Sequence, residues 1–365
     1  MQDYDASFMR RAIELAKGGE GKTNPNPLVG AVIVKDGKII GEGFHHKYGE
    51  LHAEREALAD CARRGNDASG ADIYVTLEPC CHFGKQPPCT HAIAESGIKR
   101  VFVGSRDPNP LVHGKGNEYL REQGIQVQED FLREECDVLN PIFFHYISTK
   151  TPYVALKYAM TLDGKIATKS GKSKWITGEE SREFVQKLRN RYAGIMCGSG
   201  TILADDPMLN CRIPGGTNPL RIICDSKLRI PLESQIVKTA AQIPTLIACV
   251  KPDGEKKARL EAAGAEVLEL NDDGKNHIDL KQLMEILGER KIDSVLIEGG
   301  GELNYSALES GIVQHIFAFC APKIFGGTAK SPVAGSGIDS PSEAFTFSLS
   351  AIHQFRNDIL LEYDK

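Results

Sequence analysis

The 365-residue sequence has no basic excess: 44 lysines and arginines face 49 aspartates and glutamates, for a formal net charge of -5 and a pI near 6.1. Nucleic-acid proteins usually carry a basic surplus or stripe, so nucleic acid is not an expected partner. A local basic pocket for a small phosphorylated ligand is still compatible with this balance. No apolar run approaches the ~20 residues that a membrane helix needs. The N-terminal MQDYDASFMRRAIELAKGG also lacks the apolar stretch of a secretory leader. A cytoplasmic chain without a membrane partner is therefore expected. There is no dense cysteine framework either. The ten cysteines are scattered and are read as free thiols of a reducing compartment. Cys61, Cys136, Cys197, Cys211, Cys224, Cys249 and Cys320 are expected to behave as small buried hydrophobes. Repeats and low-complexity tracts are absent too. What is present is an ordinary globular composition, 41% apolar and 25% charged, in a chain long enough for about two domains of ~150 residues.

Two α/β stretches follow one another. In the first, helical apolar spacing covers Ser7–Lys17 and stops at Gly18-Gly19. Val29–Val34 and Lys38–Gly43 pair across Asp36-Gly37, a hairpin turn signal. A helix starts near His52, and strands follow at Asp72–Leu77 and Val101–Gly104. The charged, then aromatic, stretch Glu129–Lys150 reads as a connecting helix. The second series has strands at Tyr153–Met160, Ala193–Cys197, Leu220–Cys224, Thr245–Val250, Ser294–Ile297 and Ile316–Ala321. Its helices lie near Glu179–Arg191, Glu255–Ala263 and Leu280–Leu287. The resulting expectation is an α/β protein of two domains, 1–148 and 149–365.

The densest chemistry is His52-Ala53-Glu54, then Pro79-Cys80 and Cys89. One imidazole and two thiolates are three ligands for zinc, and a zinc site with an open fourth position is catalytic in kind. Water bound to such an ion ionises near neutral pH, and a neighbouring carboxylate that is not a ligand can shuttle its proton. This is the pattern of zinc base deaminases, H-x-E followed by P-C-x-x-C, with eight residues here between the two cysteines. On a regular helix, residues i and i+2 point apart. His52 must therefore open its helix, with Glu54 in the first turn. Cys80 is expected just past a strand, where the chain turns into a helix whose N-terminus favours thiolate. A closed site would need Cys81 or His82 as fourth ligand, and direct neighbours of Cys80 rarely reach the same ion.

The stretches TNPNPLVGAV (Thr23–Val32), HAE (His52–Glu54), TLEPCCHFGKQPPC (Thr76–Cys89) and RDPNP (Arg106–Pro110) carry a family resemblance. It continues through ALKYAMTLDGKIA (Ala155–Ala167), SKWIT (Ser173–Thr177), GSGTILADDP (Gly198–Pro207) and EGGG (Glu298–Gly301). The chain resembles the bifunctional riboflavin-biosynthesis deaminase/reductases over nearly its whole length. In that family the long cysteine spacing, with GK and PP inside, is the usual form.

The resemblance implies a cytidine-deaminase-like three-layer α/β domain followed by a dihydrofolate-reductase-like α/β domain. The first would remove an amino group from a phosphoribosylated diaminopyrimidinone, and the second would use NADPH to reduce the ribosyl group to ribityl. His52, Cys80 and Cys89 carry over as zinc ligands and Glu54 as the catalytic proton shuttle. Asn26, His45, Lys85, Asp107 and Asn109 carry over as contacts to the deaminase substrate. Lys157, Ser173, Arg189, Leu209, Arg212 and Glu298 map to the substrate side of the reductase. Ala159, Trp175, Thr201, Asp205, Ser226, Gly300, Gly301, Glu302, Leu303, Asn304, Tyr305 and Ser306 map to the cofactor side.

Chemically, Arg189 and Arg212 suit a ribose phosphate, which a guanidinium grips in bidentate fashion. Gly299-Gly300-Gly301 follows a strand and precedes a helix, as a phosphate cradle does. No G-x-G-x-x-G is present, so a Rossmann domain is disfavoured, and no arginine for a 2′-phosphate is evident. A homo-oligomer, dimer or tetramer, is also expected from the family. The competing reading is a tRNA adenosine deaminase with an accessory domain, which the acidic balance and the long insert oppose.

Overall fold

The N-terminal stretch folds because each face of its sheet finds a helix to cover it. The computed structural model describes residues 5–83, 87–109 and 112–365, and the chain divides into two units, Met1–Lys150 and Thr151–Lys365.

The first unit runs α1 (Ala6–Ala16), β1 (Gly30–Lys35), β2 (Lys38–Phe44), α2 (Ala53–Arg63), β3 (Asp72–Leu77) and α3 (Cys89–Glu95). It continues with β4 (Arg100–Ser105), α4 (Lys115–Glu122), β5 (Gln126–Gln128), α5 (Arg133–Asp137) and α6 (Pro141–Thr149). The stretch Glu129–Lys150, read as one connecting helix, is thus two helices, broken before Pro141, which opens α6. The five-stranded sheet has the order β2-β1-β3-β4-β5. β1 is antiparallel to both neighbours, and β3, β4 and β5 are parallel.

Side chains alternate across a strand, and here both alternations are apolar. Val32 and Val34 meet Met9 and Ala12 of α1. Ala31 and Ile33 meet Ala53 and Ala57 of α2. Three layers result.

Two glycines let the helices lie directly on strand backbone. A Cβ on Gly30 would fall 1.9 Å from the Ala12 carbonyl oxygen, and one on Gly43 would fall 2.3 Å from the Ala57 amide and 2.6 Å from the Ala53 carbonyl. Because α2 carries His52 and Glu54, Gly43→Ala displaces the site-bearing helix. It is expected to cost the first unit about 1–3 kcal/mol, measured as a lower urea midpoint, together with weaker zinc retention.

The second unit runs β6 (Tyr153–Thr161), α7 (Glu179–Arg191), β7 (Gly194–Gly198), α8 (Ser199–Asp205), β8 (Leu220–Cys224), α9 (Gln235–Lys238), β9 (Thr245–Cys249) and α10 (Gly254–Ala262). It ends with β10 (Glu266–Glu269), α11 (Leu280–Glu289), β11 (Ser294–Ile297), α12 (Gly301–Glu309), β12 (Val313–Ala321), β13 (Ser348–Phe355) and β14 (Asp358–Asp364). The nine-stranded sheet has the order β10-β9-β8-β7-β11-β6-β12-β14-β13. Seven strands are parallel, and the C-terminal β13–β14 hairpin adds antiparallel to β12.

Parallel strands are buried on both faces. Val154, Met196, Ile222, Leu246 and Val295 point into one core, and Ile195, Ile223 and Ile247 into the other. Of the seven scattered cysteines, Cys61, Cys136, Cys197 and Cys249 are buried as expected, whereas Cys211, Cys224 and Cys320 are only half-buried. No helix among the described residues is long and apolar enough to cross a membrane.

Two candidate active sites

In the first unit, α2 begins where the i, i+2 spacing requires. His52 is its N-cap residue in extended backbone, and Glu54 lies in the first turn, 3% exposed. Cys80 follows β3 in a loop, and Cys89 is the first residue of α3. The helix expected immediately after Cys80 is therefore absent, because the chain first has to travel as far as Cys89. Helix geometry supports the second cysteine, and a backbone amide supports the first: the Cys89 N–H donates to Cys80 Sγ at 3.4 Å.

The three ligand atoms converge. Cys80 Sγ and Cys89 Sγ lie 3.5 and 3.4 Å from His52 Nδ1. A tetrahedral zinc with Zn–N of ~2.0–2.1 Å and Zn–S of ~2.3 Å requires about 3.6 Å between nitrogen and sulfur, so the donor set fits zinc. Among the described residues no other trio of potential ligands gathers this closely; Cys81 and His82 do not join it.

Protons follow the same geometry. The hydrogen bond from Cys89 holds the Cys80 thiol down to about 4 while that of Cys89 is pushed up, so the pair shares one proton. A dication favours thiolate at both. Burial, and then the Cys80 charge, raise the Glu54 carboxyl above its ordinary value, which suits a group that must take and return a proton.

A cavity of about 330 Å³ opens onto these atoms, lined also by Asn26, His45, Asp107 and Asn109. His45 Nδ1 lies 2.9 Å from the Leu51 carbonyl and Nε2 lies 3.2 Å from the Asn26 amide nitrogen. Burial lowers the His45 pKa, so the neutral ring donates through Nδ1 and accepts through Nε2. Asn26 must then donate to it, which leaves its carbonyl oxygen to accept from a ligand. Asp107 is raised by burial to about 6, and its carboxylate accepts the Asn109 amide. Lys85 lies outside the described residues.

Several contributors had no signal in the sequence. Phe143 and Tyr146 of α6 line the cavity, although that helix read as a connector. Asn140 clamps Leu28 from both sides, accepting its N–H at 2.7 Å and donating to its carbonyl at 2.9 Å, and so braces the Asn26 turn. Arg55 donates to the Pro87 and Pro88 carbonyls at 3.3 and 3.1 Å, fixing the approach to Cys89. Outer residues of this kind are worth 10- to 100-fold in metal affinity. Arg55→Ala is therefore expected to weaken zinc retention by about 10- to 100-fold, read by competition with a chromogenic chelator.

The second unit holds a cleft of about 920 Å³ at the carboxyl ends of β6, β11, β7 and β8. It gathers Lys157, Ser173, Arg189, Leu209, Arg212 and Glu298, together with Ala159, Trp175, Thr201, Asp205, Ser226, Gly300, Gly301, Glu302, Leu303, Asn304 and Ser306. Tyr305 is not among them. Its hydroxyl donates to the Gly337 carbonyl at 2.8 Å.

Glu298 is the electrostatic centre. It receives Arg189 in bidentate fashion at 2.6 and 3.1 Å and lies 3.6 Å from Lys157 Nζ. Burial would raise this carboxyl, but the two cations hold it down to about 2. Burial lowers the Lys157 ammonium. Arg189 lines the cleft and donates to Glu298 and to the Asn210 carbonyl. Arg212 is exposed on the cleft wall.

Gly299 and Gly300 have φ of +116° and +82°, and a Cβ on Gly301 would press within 3.0 Å of Ala334. The glycine triplet thus brings bare backbone to the start of α12. The donor set and shape fit a dinucleotide pyrophosphate.

Residues 2–105 match the family model "Cytidine and deoxycytidylate deaminase zinc-binding region", and residues 152–361 match "RibD C-terminal domain". The riboflavin biosynthesis protein RibD of Actinobacillus pleuropneumoniae is 54% identical, over 98% of this chain and 95% of its own length. RibD of Escherichia coli is 37% identical over 98% of both chains. The crystal structure of a diaminohydroxyphosphoribosylaminopyrimidine deaminase/5-amino-6-(5-phosphoribosylamino)uracil reductase from Thermotoga maritima superposes with a TM-score of 0.87, at 40% identity and 98% coverage of each chain. RibD of Acinetobacter baumannii superposes with a TM-score of 0.88, at 37% identity and the same coverage. The chain belongs to the RibD family of riboflavin biosynthesis proteins, bifunctional enzymes that join a zinc-binding deaminase domain to a reductase domain.

Proposed function

We propose that residues 1–148 hydrolytically deaminate 2,5-diamino-6-hydroxy-4-(5-phosphoribosylamino)pyrimidine and that residues 149–365 reduce its ribosyl group to ribityl phosphate with NADPH. The observation that carries this reading is the convergence of His52, Cys80 and Cys89 beside a buried carboxyl that is not a ligand. Zinc held by those three residues supplies Lewis acidity that makes water a nucleophile near neutral pH. Glu54 accepts the proton of that water as its oxygen adds to the amine-bearing ring carbon. Glu54 then returns the proton to the departing nitrogen as the C–N bond breaks, so water is consumed and ammonia released. Asn26, His45, Asp107 and Asn109 hold the heterocycle by its polar edge, and Lys85 takes an anionic group of the same substrate.

In the reductase cleft, bound NADPH would supply the hydride needed to bring the ribosyl C1′ to the ribityl level. Ala159, Trp175, Thr201, Asp205, Ser226 and the Gly300–Ser306 segment form its side of the cleft. Arg212 takes the ribose phosphate. Lys157, oriented by Glu298 and Arg189, positions the sugar and assists opening of its ring. Ser173 and Leu209 complete the substrate side.

Leu349 and Ile352, exposed on the edge strand β13, support a homo-oligomer. The acidic balance speaks against a nucleic-acid partner. The test is a zinc count together with turnover of the pyrimidine with and without NADPH. One zinc per chain, ammonia released without NADPH and NADPH oxidised only afterwards are expected. Ammonia release that requires NADPH, or full activity after chelation, overturns the reading.

A further inference from the structure

We propose that Arg229 reads the 2′-phosphate of the dinucleotide and thereby sets the preference for NADPH over NADH. This rests on the reductase reading above. Strand order fixes which end of a dinucleotide lies where. Lys157 is on β6, the glycine triplet follows β11, Ser199 follows β7, and Ser226 and Arg229 follow β8; these four strands are adjacent in the order β6-β11-β7-β8. All are parallel, and ligands of open α/β sheets lie across such carboxyl ends. The reacting end belongs beside Lys157 and Glu298, and the pyrophosphate belongs at the glycines opening α12. The far end then falls at the exits of β7 and β8, roughly 10–14 Å from β6 at the usual strand spacing.

Arg229 is built to meet a phosphate there. Its Nη2 donates to Ser199 Oγ at 2.7 Å, and its Nε lies 3.7 Å from Asp225 Oδ1. Asp225 is fully buried, and its other oxygen accepts the Ile230 amide at 2.8 Å. The loop that carries Arg229 is therefore pinned from beneath. The guanidinium is anchored on one edge, its side chain is 60% exposed, and it lines the cleft. Among the described residues, Nη1 has no protein acceptor.

A guanidinium anchored on the Ser199 hydroxyl, in a cleft that Ser226 also lines, suits a phosphate monoester, whereas a bare ribose 2′-hydroxyl offers neither the charge nor the second acceptor. An enzyme selecting NADH instead places an acidic side chain at that hydroxyl. Asp225, the acid at this exit, is turned under the loop. Two other arginines of the cleft are committed elsewhere: Arg189 to Glu298, and Arg182 over the Trp175 ring at 4.7 Å.

The experiment titrates the full chain with 2′,5′-ADP and with 5′-AMP by calorimetry, in the wild type, R229A and R229K. R229A is expected to weaken 2′,5′-ADP by about 10- to 100-fold, the value of charge-assisted hydrogen bonds. Binding of 5′-AMP should move by less than about twofold, and R229K should recover part of the loss. The ratio of kcat/KM for NADPH to that for NADH should fall by the same factor as 2′,5′-ADP affinity. Equal weakening of both nucleotides, or no change in either, overturns the role of Arg229. A wild type that binds neither NADPH nor NADH removes the reductase reading itself, and this inference with it.

Discussion

Glu54→Gln is expected to lower ammonia release by about 10²- to 10⁴-fold, the usual contribution of a positioned general acid–base. NADPH oxidation with already deaminated substrate should be unchanged. The substitution keeps the volume of a side chain that is 3% exposed in the first turn of α2 and removes only its ability to carry a proton. His52, Cys80 and Cys89 are untouched, so the zinc count should remain one per chain. A stopped assay for ammonia and a spectrophotometric assay for NADPH separate the two outcomes. Loss of both activities would show that the sites are not independent. Loss of zinc in E54Q would instead make the carboxyl a ligand.

Glu298→Gln is expected to be the most damaging single change in the second unit. Glu298, Arg189 and Lys157 are 8%, 12% and 15% exposed in their side chains. Neutralising the one anion leaves two buried cations facing each other, and breaking a buried pair in this way costs about 3–5 kcal/mol. Reductase activity should fall with it, because Lys157 and Arg189 lose the group that orients them.

The sign with pH follows from the carboxyl itself. Its folded value of about 2 lies below the ordinary 4.5. Its charge therefore stabilises the fold fully above about pH 4.5 and ceases to do so as pH falls through about 2. The stability gap between wild type and E298Q should be full near neutrality and close toward pH 2. Trp175 is the single tryptophan of the chain and lies in this unit, so its fluorescence during urea unfolding reports the second unit alone. A gap below about 1 kcal/mol at neutral pH, or one that widens in acid, would contradict this role.

The two sites differ in how much of each is carried by local sequence signals, for identifiable reasons. Strands Asp72–Leu77, Leu220–Cys224 and Ser294–Ile297 and helix Glu179–Arg191 are found at their expected bounds, because apolar runs framed by turn residues are local signals. The β13–β14 hairpin was missed: β13 is exposed along most of its length, so it carries no alternation to detect. The helix expected at Cys80 begins instead at Cys89. The pairing of Arg189 with Glu298 had no signal, because the two lie 109 positions apart and no window of sequence brings them together. Arg229 escaped for a similar reason, since only the order β6-β11-β7-β8 places it at the end of the cleft.

Residue type and short spacing carry the chemistry: a three-ligand zinc set, a carboxyl that is not a ligand, and two successive α/β series whose motifs carry the family. These are set before the chain folds. Which charges are spent on one another, and which remain for a ligand, is settled by the folded chain. Asn26 owes its open carbonyl to the His45 ring held by Leu51, and Cys89 owes its approach to Arg55 on a neighbouring helix. Glu298 owes its ionised state to two cations delivered by β6 and α7. Burial and electrostatic pairing depend on distance in space, and parallel sheets bring together residues that are far apart along the chain.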